Sequence, residues 1–524
     1  MKRILLLAFT SCMLLAALNG CGGGDDDSST PTPTPAPSTS TVTGSVYAAP
    51  VNGASVVVKD VNGNIVAGPV TTAADGTYAI NIPTSALSGD LRIEATGGTF
   101  TDEATGAPGI MAGRLTAYTA GGTLGAGSAV HLDPSSTIVH DLVITGLFPI
   151  VADAKTRFSG VFGYSPNTSI APQDPDSPLT GDSNAPRRLA GLRAAAFSRI
   201  ANDLGLTPEE QFDLIKAMAK DLSDGAAADG LYNGAAIEIV PGNNLPANWK
   251  TQFETAMTAM ANVRLTNSYR VTYLPGMGMM APKEGKSQFQ IRVEKHDNTP
   301  AAGLALKIKP MMHMNDGKNH STPVDIVSES STTPGTYDCT AYYLMASGPT
   351  MGFWDMKVDI TDGITTESTM FFPPVGMVMG AKPRATLKGV NDLIVGTPPE
   401  KRSYFLFNDG LMSGMGGNYT FKLFMATKES MMSYPAVGIG TTLNNEQTPP
   451  TPWVVNSITL EASTDNATWF PAIEGAVKGH WSIANLPGLV IGVPATIYVR
   501  LTVNGEVKTD NAGLAYATFT VTPM

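Results

Sequence analysis

Short segments in which apolar and polar residues alternate recur along this 524-residue chain, and they constrain its fold most. Residues 287–294, Ser-Gln-Phe-Gln-Ile-Arg-Val-Glu, are a clear example. Successive residues of a strand point to opposite faces, so alternation predicts strands with one buried face. The 54 glycines and 38 prolines provide turns between such strands. At this length we predict a multidomain, mainly β fold with several immunoglobulin-like β-sandwiches.

Residues 129–264 differ from the rest because their apolar residues recur at helical spacing. Thr207 followed by Pro208 is typical of an N-cap and a first helical position. We therefore predict an α-helical middle domain. The first predicted helix begins near Asp133, and three more cover residues 186–204, 208–222 and 249–263.

The chain begins with two basic residues, Lys2 and Arg3, and an apolar run over residues 4–18. This run is shorter than the roughly 20 residues that a membrane-spanning helix needs. A basic start followed by such a run is typical of a signal peptide. We predict that residues 1–20 are a signal peptide that is removed on export.

The signal segment ends in Leu-Asn-Gly-Cys at Cys21, which resembles the lipobox of bacterial lipoproteins. The resemblance implies that Cys21 is lipidated and anchors the chain to a membrane of the cell envelope. Residues 21–42, rich in Gly, Asp, Ser, Thr and Pro, are predicted to be a disordered tether. Cys12 is the weaker alternative because no tether follows it. By analogy with Gram-negative sorting, Gly22 favours the outer membrane.

Residues 43–128 contain the patterns Gly-x-Val, Gly-Ala-x-Val and Thr-x-x-Asp-Gly-x-Tyr. They resemble the carboxypeptidase-regulatory-like family of small β-sandwiches. The resemblance implies that Asp75 and Gly76 form a turn and that Tyr78 fills the interior of the sandwich. It implies no peptidase activity.

Residues 265–382 and 383–524 share an order of features, and we call them the first and the second Met-rich region. Each has an aromatic strand, a loop rich in glycine and methionine, a second strand, and a Gly-x-Trp sequence ending at Trp354 or Trp481. This order predicts two related β-sandwiches in tandem.

The first Met-rich region contains Lys-Pro-Met-Met-His-Met at 309–314, Pro-Gly-Thr-Tyr at 334–337 and Met-Gly-Phe-Trp-Asp-Met-Lys-Val at 351–358. These motifs resemble the YtkA-like/FixH-like family of exported β-sandwich modules over residues 268–365. That family includes proposed copper-handling proteins, so the resemblance implies an envelope protein that handles copper.

Methionine is concentrated in the same part of the chain, because 17 of its 24 methionines lie between Met277 and Met432. Thioether sulfur is a soft, uncharged ligand that suits Cu(I). Methionine is also an adaptable filler of irregular cores. Both uses fit the sequence. For Met377 and Met379, which lie in an apolar run, we favour core packing.

The metal hypothesis depends on the Met/His segment. In an extended segment Met312 and Met314 share one face and Met311 and His313 the other, while His320 follows in a polar loop. Thioethers with an imidazole suit Cu(I), or Cu(II) where histidines dominate. The predicted metal ligands are Met277, Met279, Met280, Met311, Met312, His313, Met314 and His320. For Met412, Met415, Met431 and Met432, which have no histidine among them, we favour packing.

Other classes of function have little support. The net charge is −11 without a basic stripe, so we expect no nucleic-acid partner. The chain has no GxSxG, HExxH or phosphate-binding glycine loop, so we predict no enzymatic activity. Cys339 alternates with polar neighbours in a predicted strand and is expected to be a buried, inert thiol.

Together these features predict an envelope-anchored lipoprotein that binds or buffers a soft metal, copper, through its Met/His clusters. An envelope protein would be its further partner. The alternative is a non-enzymatic surface scaffold or adhesion protein that binds another protein or a glycan, with its methionines used for packing.

Overall fold

The computed structural model describes residues 38–179, 184–276, 281–394, 398–414, 417–444 and 452–524. Antiparallel sheets form most of the regular structure, and the α-helices of these ranges lie between residues 134 and 262. The predicted mainly β, multidomain fold is confirmed. No helix in the described ranges is long and apolar enough to cross a membrane.

The first strands form small antiparallel sheets, in which β1 pairs with β4, β6 pairs with β7, and a four-stranded sheet has the order β3-β2-β5-β8. The strands are β1 (Thr39–Ser45), β2 (Ser55–Lys59), β3 (Ile65–Thr71), β4 (Thr77–Pro83), β5 (Leu91–Thr96), β6 (Thr99–Phe100), β7 (Ile110–Met111) and β8 (Leu115–Thr119). As predicted, Asp75 forms the turn before β4, because its Oδ1 accepts the N–H of Thr77 at 3.1 Å. Tyr78 is buried and donates its hydroxyl to the Val130 carbonyl at 2.7 Å.

The helical part has five helices among the described residues, with two short hairpins between the last two. The helices are α1 (Pro134–Ile144), α2 (Val151–Phe162), α3 (Ala185–Asp203), α4 (Gln211–Leu222) and α5 (Trp249–Asn262), and the hairpins contain β9 (Leu231–Tyr232), β10 (Ala235–Ala236), β11 (Glu238–Val240) and β12 (Asn243–Asn244). Asp133 caps α1, where its Oδ1 accepts the Ser136 N–H at 2.7 Å. Helix α4 begins later than predicted, because residues 208–210 form a turn in which Glu210 accepts the N–H of Thr207 at 2.7 Å.

One cluster of buried side chains joins the first sheets to the helices, running from Val42 to Ala256. Phe100 of β6 and Phe212 of α4 meet edge to face in it, with ring centroids 5.9 Å apart. The two predicted domains on either side of residue 128 therefore share buried surface. The boundary between them stays a prediction.

The first Met-rich region forms two antiparallel sheets, of order β13-β14-β15-β19-β18 and β17-β16-β20-β21. Their strands are β13 (Val263–Leu265), β14 (Tyr269–Leu274), β15 (Gly285–Lys295), β16 (Ala305–Met314), β17 (Asn319–Ser321), β18 (Ser328–Glu329), β19 (Thr336–Tyr343), β20 (Gly352–Asp362) and β21 (Thr365–Phe371). Both sheets contribute to one core, for example through Ile291 of β15 and Val358 of β20, both fully buried.

The second Met-rich region instead forms one sheet of order β22-β23-β24-β29-β28-β27-β30-β31, in which β32 also pairs with β30. Its strands are β22 (Arg384–Ile394), β23 (Glu400–Ser413), β24 (Tyr419–Lys428), β27 (Ile458–Ser463), β28 (Phe470–Glu474), β29 (His480–Leu486), β30 (Ala495–Val503), β31 (Glu506–Val507) and β32 (Ala517–Val521), with a separate pair of β25 (Thr442–Leu443) and β26 (Trp453–Val454). Its core is a separate cluster that includes Phe421 and Phe519.

Candidate metal site

Strand β16 carries the Met/His segment and directs its side chains to two faces. Met312 is fully buried in the core between the two sheets, and Met314 packs half-buried against the same core. His313 lies on the other face, where its Nε2 is 2.5 Å from Oδ2 of Asp355. The predicted alternation of faces along this segment is confirmed.

His320 of β17 lies beside Met312 on the core face. Met312 pairs with His320 on one side and with Trp354 on the other, and directly paired residues of antiparallel strands project to the same face. The His320 and Trp354 rings meet edge to face with centroids 5.4 Å apart. Imidazole, thioether and indole therefore form one row across the sheet, in which only 7% of His320 is exposed.

One hydrogen bond and the burial of the ring together indicate where the proton of His320 lies. Its Nδ1 is 2.8 Å from the carbonyl oxygen of Ser321, which can only accept, so Nδ1 carries a proton. Burial lowers the pKa of His320, which favours the neutral ring with a single N–H. Nε2 therefore presents a lone pair. Metal-binding histidines have the same arrangement when a backbone carbonyl holds their other nitrogen.

That lone pair faces the sulfur of Met345, a residue that was not among the predicted ligands. His320 Nε2 and Met345 Sδ are 3.3 Å apart. The Met345 carbonyl accepts the indole N–H of Trp354 at 2.9 Å, which holds the segment after β19 in place. Metal bonds of about 2.0 Å to nitrogen and about 2.3 Å to sulfur, at a tetrahedral angle, separate two such donors by about 3.5 Å. The observed separation therefore fits two ligands of one ion.

Two more thioethers lie against this core. Met314 and Met351 are both half-buried and pack on the cluster that contains Met312. Their backbones are adjacent, because the Asn315 N–H donates to the Met351 carbonyl at 3.3 Å. The core of the first Met-rich region therefore combines one imidazole with several soft donors. These are Met312, Met314, Met345, Met351 and Met356.

The sheet itself separates His313 from His320. The His313 ring stacks on Phe353 with centroids 4.8 Å apart and pairs with the buried carboxylate of Asp355. Burial raises the pKa of Asp355, and the contact with His313 opposes that rise. Met311 lies on this outer face with His313 and is half-buried. Of the predicted ligands, the structure brings together Met312, Met314 and His320, and it does not bring His313 or Met311 to them.

Three predicted ligands, Met277, Met279 and Met280, lie outside the described residues, as does the predicted lipidation site Cys21. The placement of these three methionines near His320, and the lipid on Cys21, stay predictions.

The remaining methionine clusters differ from the one around Met312. Core packing for Met377 and Met379 is wrong: they are 63% and 84% exposed, because they lie in an irregular surface segment between β21 and β22. The packing that we favour for four methionines of the second Met-rich region is also wrong for Met412, Met431 and Met432, which are exposed; Met415 lies outside the described residues. The exposed fractions are 53% for Met412, 39% for Met431 and 51% for Met432.

The segment after β24, which contains Met431 and Met432, nevertheless reaches the strand that carries His320. The carbonyl of Met431 accepts the N–H of Ser321 at 2.8 Å. The same Ser321 holds the His320 ring through its own carbonyl. The residue that fixes the proton of His320 is therefore hydrogen-bonded to the second Met-rich region.

Ligands of other types are scarce. Among the residues that the structure describes, no group of three or more His, Cys, Asp or Glu side chains is arranged to hold a metal ion. Cys339 is buried as predicted, and burial raises the pKa of its thiol to about 12. It is therefore protonated at neutral pH, as expected of a buried, inert thiol.

Comparisons with known proteins add little to this geometry. No protein-family model matches the chain, and no curated protein is significantly similar to it. One solved structure with some likeness is that of the Yersinia pseudotuberculosis adhesin InvE, at 14% identity and a TM-score of 0.15. The match covers 50% of this chain and 60% of that one. At such a TM-score the likeness carries no argument about fold or function.

Proposed function

We propose that this protein binds or buffers copper as Cu(I), without catalysing a reaction, and that His320 and Met345 are the central ligands. The observation that carries the proposal is the 3.3 Å distance between His320 Nε2 and Met345 Sδ, in a ring whose Nδ1 contacts the Ser321 carbonyl. Soft sulfur donors with one imidazole suit Cu(I) better than they suit Mg²⁺ or Ca²⁺. Met312 and Met314 are the predicted ligands that lie on the same face.

The surroundings of this pair suit a bound cation that must be kept from water. Trp354 closes one side, and Tyr343 meets the Trp354 ring with centroids 5.0 Å apart. The hydrogen bond from Nδ1 to Ser321 orients the imidazole before any ion arrives. Such outer contacts of a metal ligand typically change metal affinity by about 10- to 100-fold when they are removed.

The proposal includes an envelope location. A lipid on Cys21 would anchor the mature chain, most simply in the outer membrane, and residues 21–42 would separate the folded part from the bilayer. We also propose that the β regions are immunoglobulin-like sandwiches, of the carboxypeptidase-regulatory-like type at residues 43–128 and the YtkA-like type at 265–382. Two antiparallel sheets on one core support this for the first Met-rich region.

A Cu(I) competition titration tests the metal proposal. The full chain, with Cys12 and Cys21 changed to serine in every sample, is titrated against a colorimetric Cu(I) chelator. Met345→Leu removes the sulfur but keeps an apolar side chain of similar volume. We expect one tightly bound ion per chain, and a loss of at least tenfold in affinity for Met345→Leu.

The matched control is Met425→Leu, because Met425 is fully buried in the separate core of the second Met-rich region. It should bind copper as the parent does. Equal affinity of Met345→Leu and Met425→Leu, or no stoichiometric binding by the folded parent, contradicts the proposal.

A further inference from the structure

A cavity of about 680 Å³ lies between the helices and the outer face of the first Met-rich region. Phe162 of α2 and Arg193 of α3 line it from the helical side, and Phe353 and Phe372 line it from the sheet side. Phe353 belongs to the face that carries His313, opposite His320. This volume is within the range of about 300–1,000 Å³ that is typical of small-molecule sites.

One cation lies in the wall of this cavity. The guanidinium of Arg193 lies over the ring of Tyr164, with Cζ 4.0 Å from the ring centroid. The hydroxyl of Tyr164 is hydrogen-bonded to Ser135 at 2.9 Å, which fixes the ring beneath the guanidinium. Stacking on this fixed ring therefore holds the planar group in position.

Arg193 has unused hydrogen-bonding capacity within the described part of the chain. Its Nε is buried and has no hydrogen-bond partner among the described residues. Burial lowers the pKa of Arg193 to about 10, so the group stays charged at neutral pH. A partly buried cation with free donors is stabilised by an anion that accepts two parallel N–H bonds.

The rest of the lining indicates what the anion is attached to. Phe162, Phe353 and Phe372 offer aromatic faces, and Leu189 of α3 adds an aliphatic one. Aromatic rings pack on one another edge to face or offset, so a flat apolar body fits such a wall. A pocket with many apolar side chains and few polar ones fixes the orientation of its ligand through the polar ones.

The charge near Arg193 limits how negative the ligand is. Asp133 also lines the cavity, and its carboxylate interacts electrostatically with Arg193 while it caps α1. A dianion such as a phosphate monoester is repelled by this carboxylate more strongly than a monoanion. We propose that the cavity binds a small aromatic monocarboxylate, whose carboxylate pairs with Arg193 and whose ring packs among the three phenylalanines. This site is independent of the copper proposal.

Isothermal titration of the full chain with 2-naphthoate tests this inference, with neutral 2-naphthamide as the matched ligand. We expect one 2-naphthoate per chain, bound at least tenfold more tightly than the amide. Arg193→Gln should weaken 2-naphthoate at least tenfold and leave the amide within about twofold, because only the acid uses the guanidinium.

The control variant is Arg199→Gln on the same helix, where Arg199 pairs with Asp203 at the surface. It should bind 2-naphthoate as the parent does. Equal binding of acid and amide by the parent overturns the inference even if Arg193→Gln does not fold. The inference is also overturned if the parent does not bind 2-naphthoate at millimolar concentration, or if the Arg193→Gln protein binds it as tightly as the parent does.

Discussion

The two Met-rich regions have similar sequence features but use methionine differently. In the first, Met312 is fully buried in a row with His320 and Trp354. In the second, Met412 is 53% exposed. The buried Trp481 corresponds to Trp354, but its neighbours on the adjacent strands are Leu423 and Glu474 rather than a methionine and a histidine. Its indole N–H points to the Val437 carbonyl at 3.5 Å. Among the described residues, only the first region therefore places an imidazole on the same face as its methionines, as the proposed Cu(I) site requires.

The regions also differ in what their interiors contain besides apolar side chains. The second region buries Arg402, whose Nε donates to Asp392 at 2.9 Å and whose other nitrogens pair with Glu429 and Asn444. Lys508 donates to the same Asp392 at 2.9 Å. Among its described residues the first region buries no lysine or arginine, and its core contains five methionines beside its aromatic side chains. One interior is specified by paired charges and the other by soft, polarizable groups.

The largest effect should come from the paired charges. Changing Arg402 to Met leaves the Asp392 and Glu429 carboxylates buried without their shared cation, which costs about 3–5 kcal/mol in the free energy of unfolding. Urea unfolding followed by tryptophan fluorescence measures this. Arg500→Met is the control, because Arg500 forms a partly exposed pair with Glu461 and should lose about 1 kcal/mol or less. Equal losses for the two variants would show that the buried charges do not distinguish the second region.

Substituting a methionine in each region should give a smaller difference in the free energy of unfolding. Met312→Ala opens a cavity in the core of the first region and should cost about 3 kcal/mol. Met412→Ala, at an exposed position of the second region, should change the unfolding free energy by about 0.5 kcal/mol or less. Thermal unfolding of the two variants side by side is the measurement. A Met312→Ala protein as stable as Met412→Ala contradicts the buried placement of the Met/His segment.

A contact between the two regions should respond to pH. His480 of the second region bonds Asp409 at 3.2 Å and Asp325 of the first region at 3.0 Å, and these contacts raise the pKa of His480 to about 9. Since the folded-state pKa lies above the ordinary value, this stabilisation is complete below about pH 6.5 and is lost as the pH rises through 9. Allowing for partial exposure, it amounts to about 2 kcal/mol.

Unfolding free energies of the parent and His480→Gln, measured from pH 6 to 10, give this contribution by difference. The gap between the two proteins should shrink as the pH rises. A gap that is constant over this range would contradict an ionised His480 between the two carboxylates.

Much of the fold follows from local patterns. The alternation at residues 287–294 corresponds to β15, whose side chains alternate between buried and exposed, and the helical spacing after residue 186 corresponds to α3. Helix α2 was missed, although Val151, Ala154 and Phe158 have helical spacing. Strand β15 and helix α3 could be predicted because the direction of each side chain depends on its position in the local backbone repeat.

The candidate site was less predictable because it depends on contacts between distant strands. Alternation correctly separated Met312 from His313, but the pairing of β16 with β17 decides that His320 joins Met312. Met345 follows a strand and has no motif of its own, so only the folded chain shows its sulfur beside His320. Which loop closes on a sheet is a property of tertiary packing, and no periodic pattern encodes it.

The buried thiol of Cys339 can serve as a chemical probe of local unfolding in the first Met-rich region. In a protein whose Cys12 and Cys21 have been changed to serine, it is the one remaining cysteine. Only 3% of it is exposed, and its thiol is protonated at neutral pH, so a thiol-specific reagent must wait until the core of the first Met-rich region opens. The labelling rate therefore reports how often that core opens, and a ligand of the closed core should slow it in proportion to its occupancy.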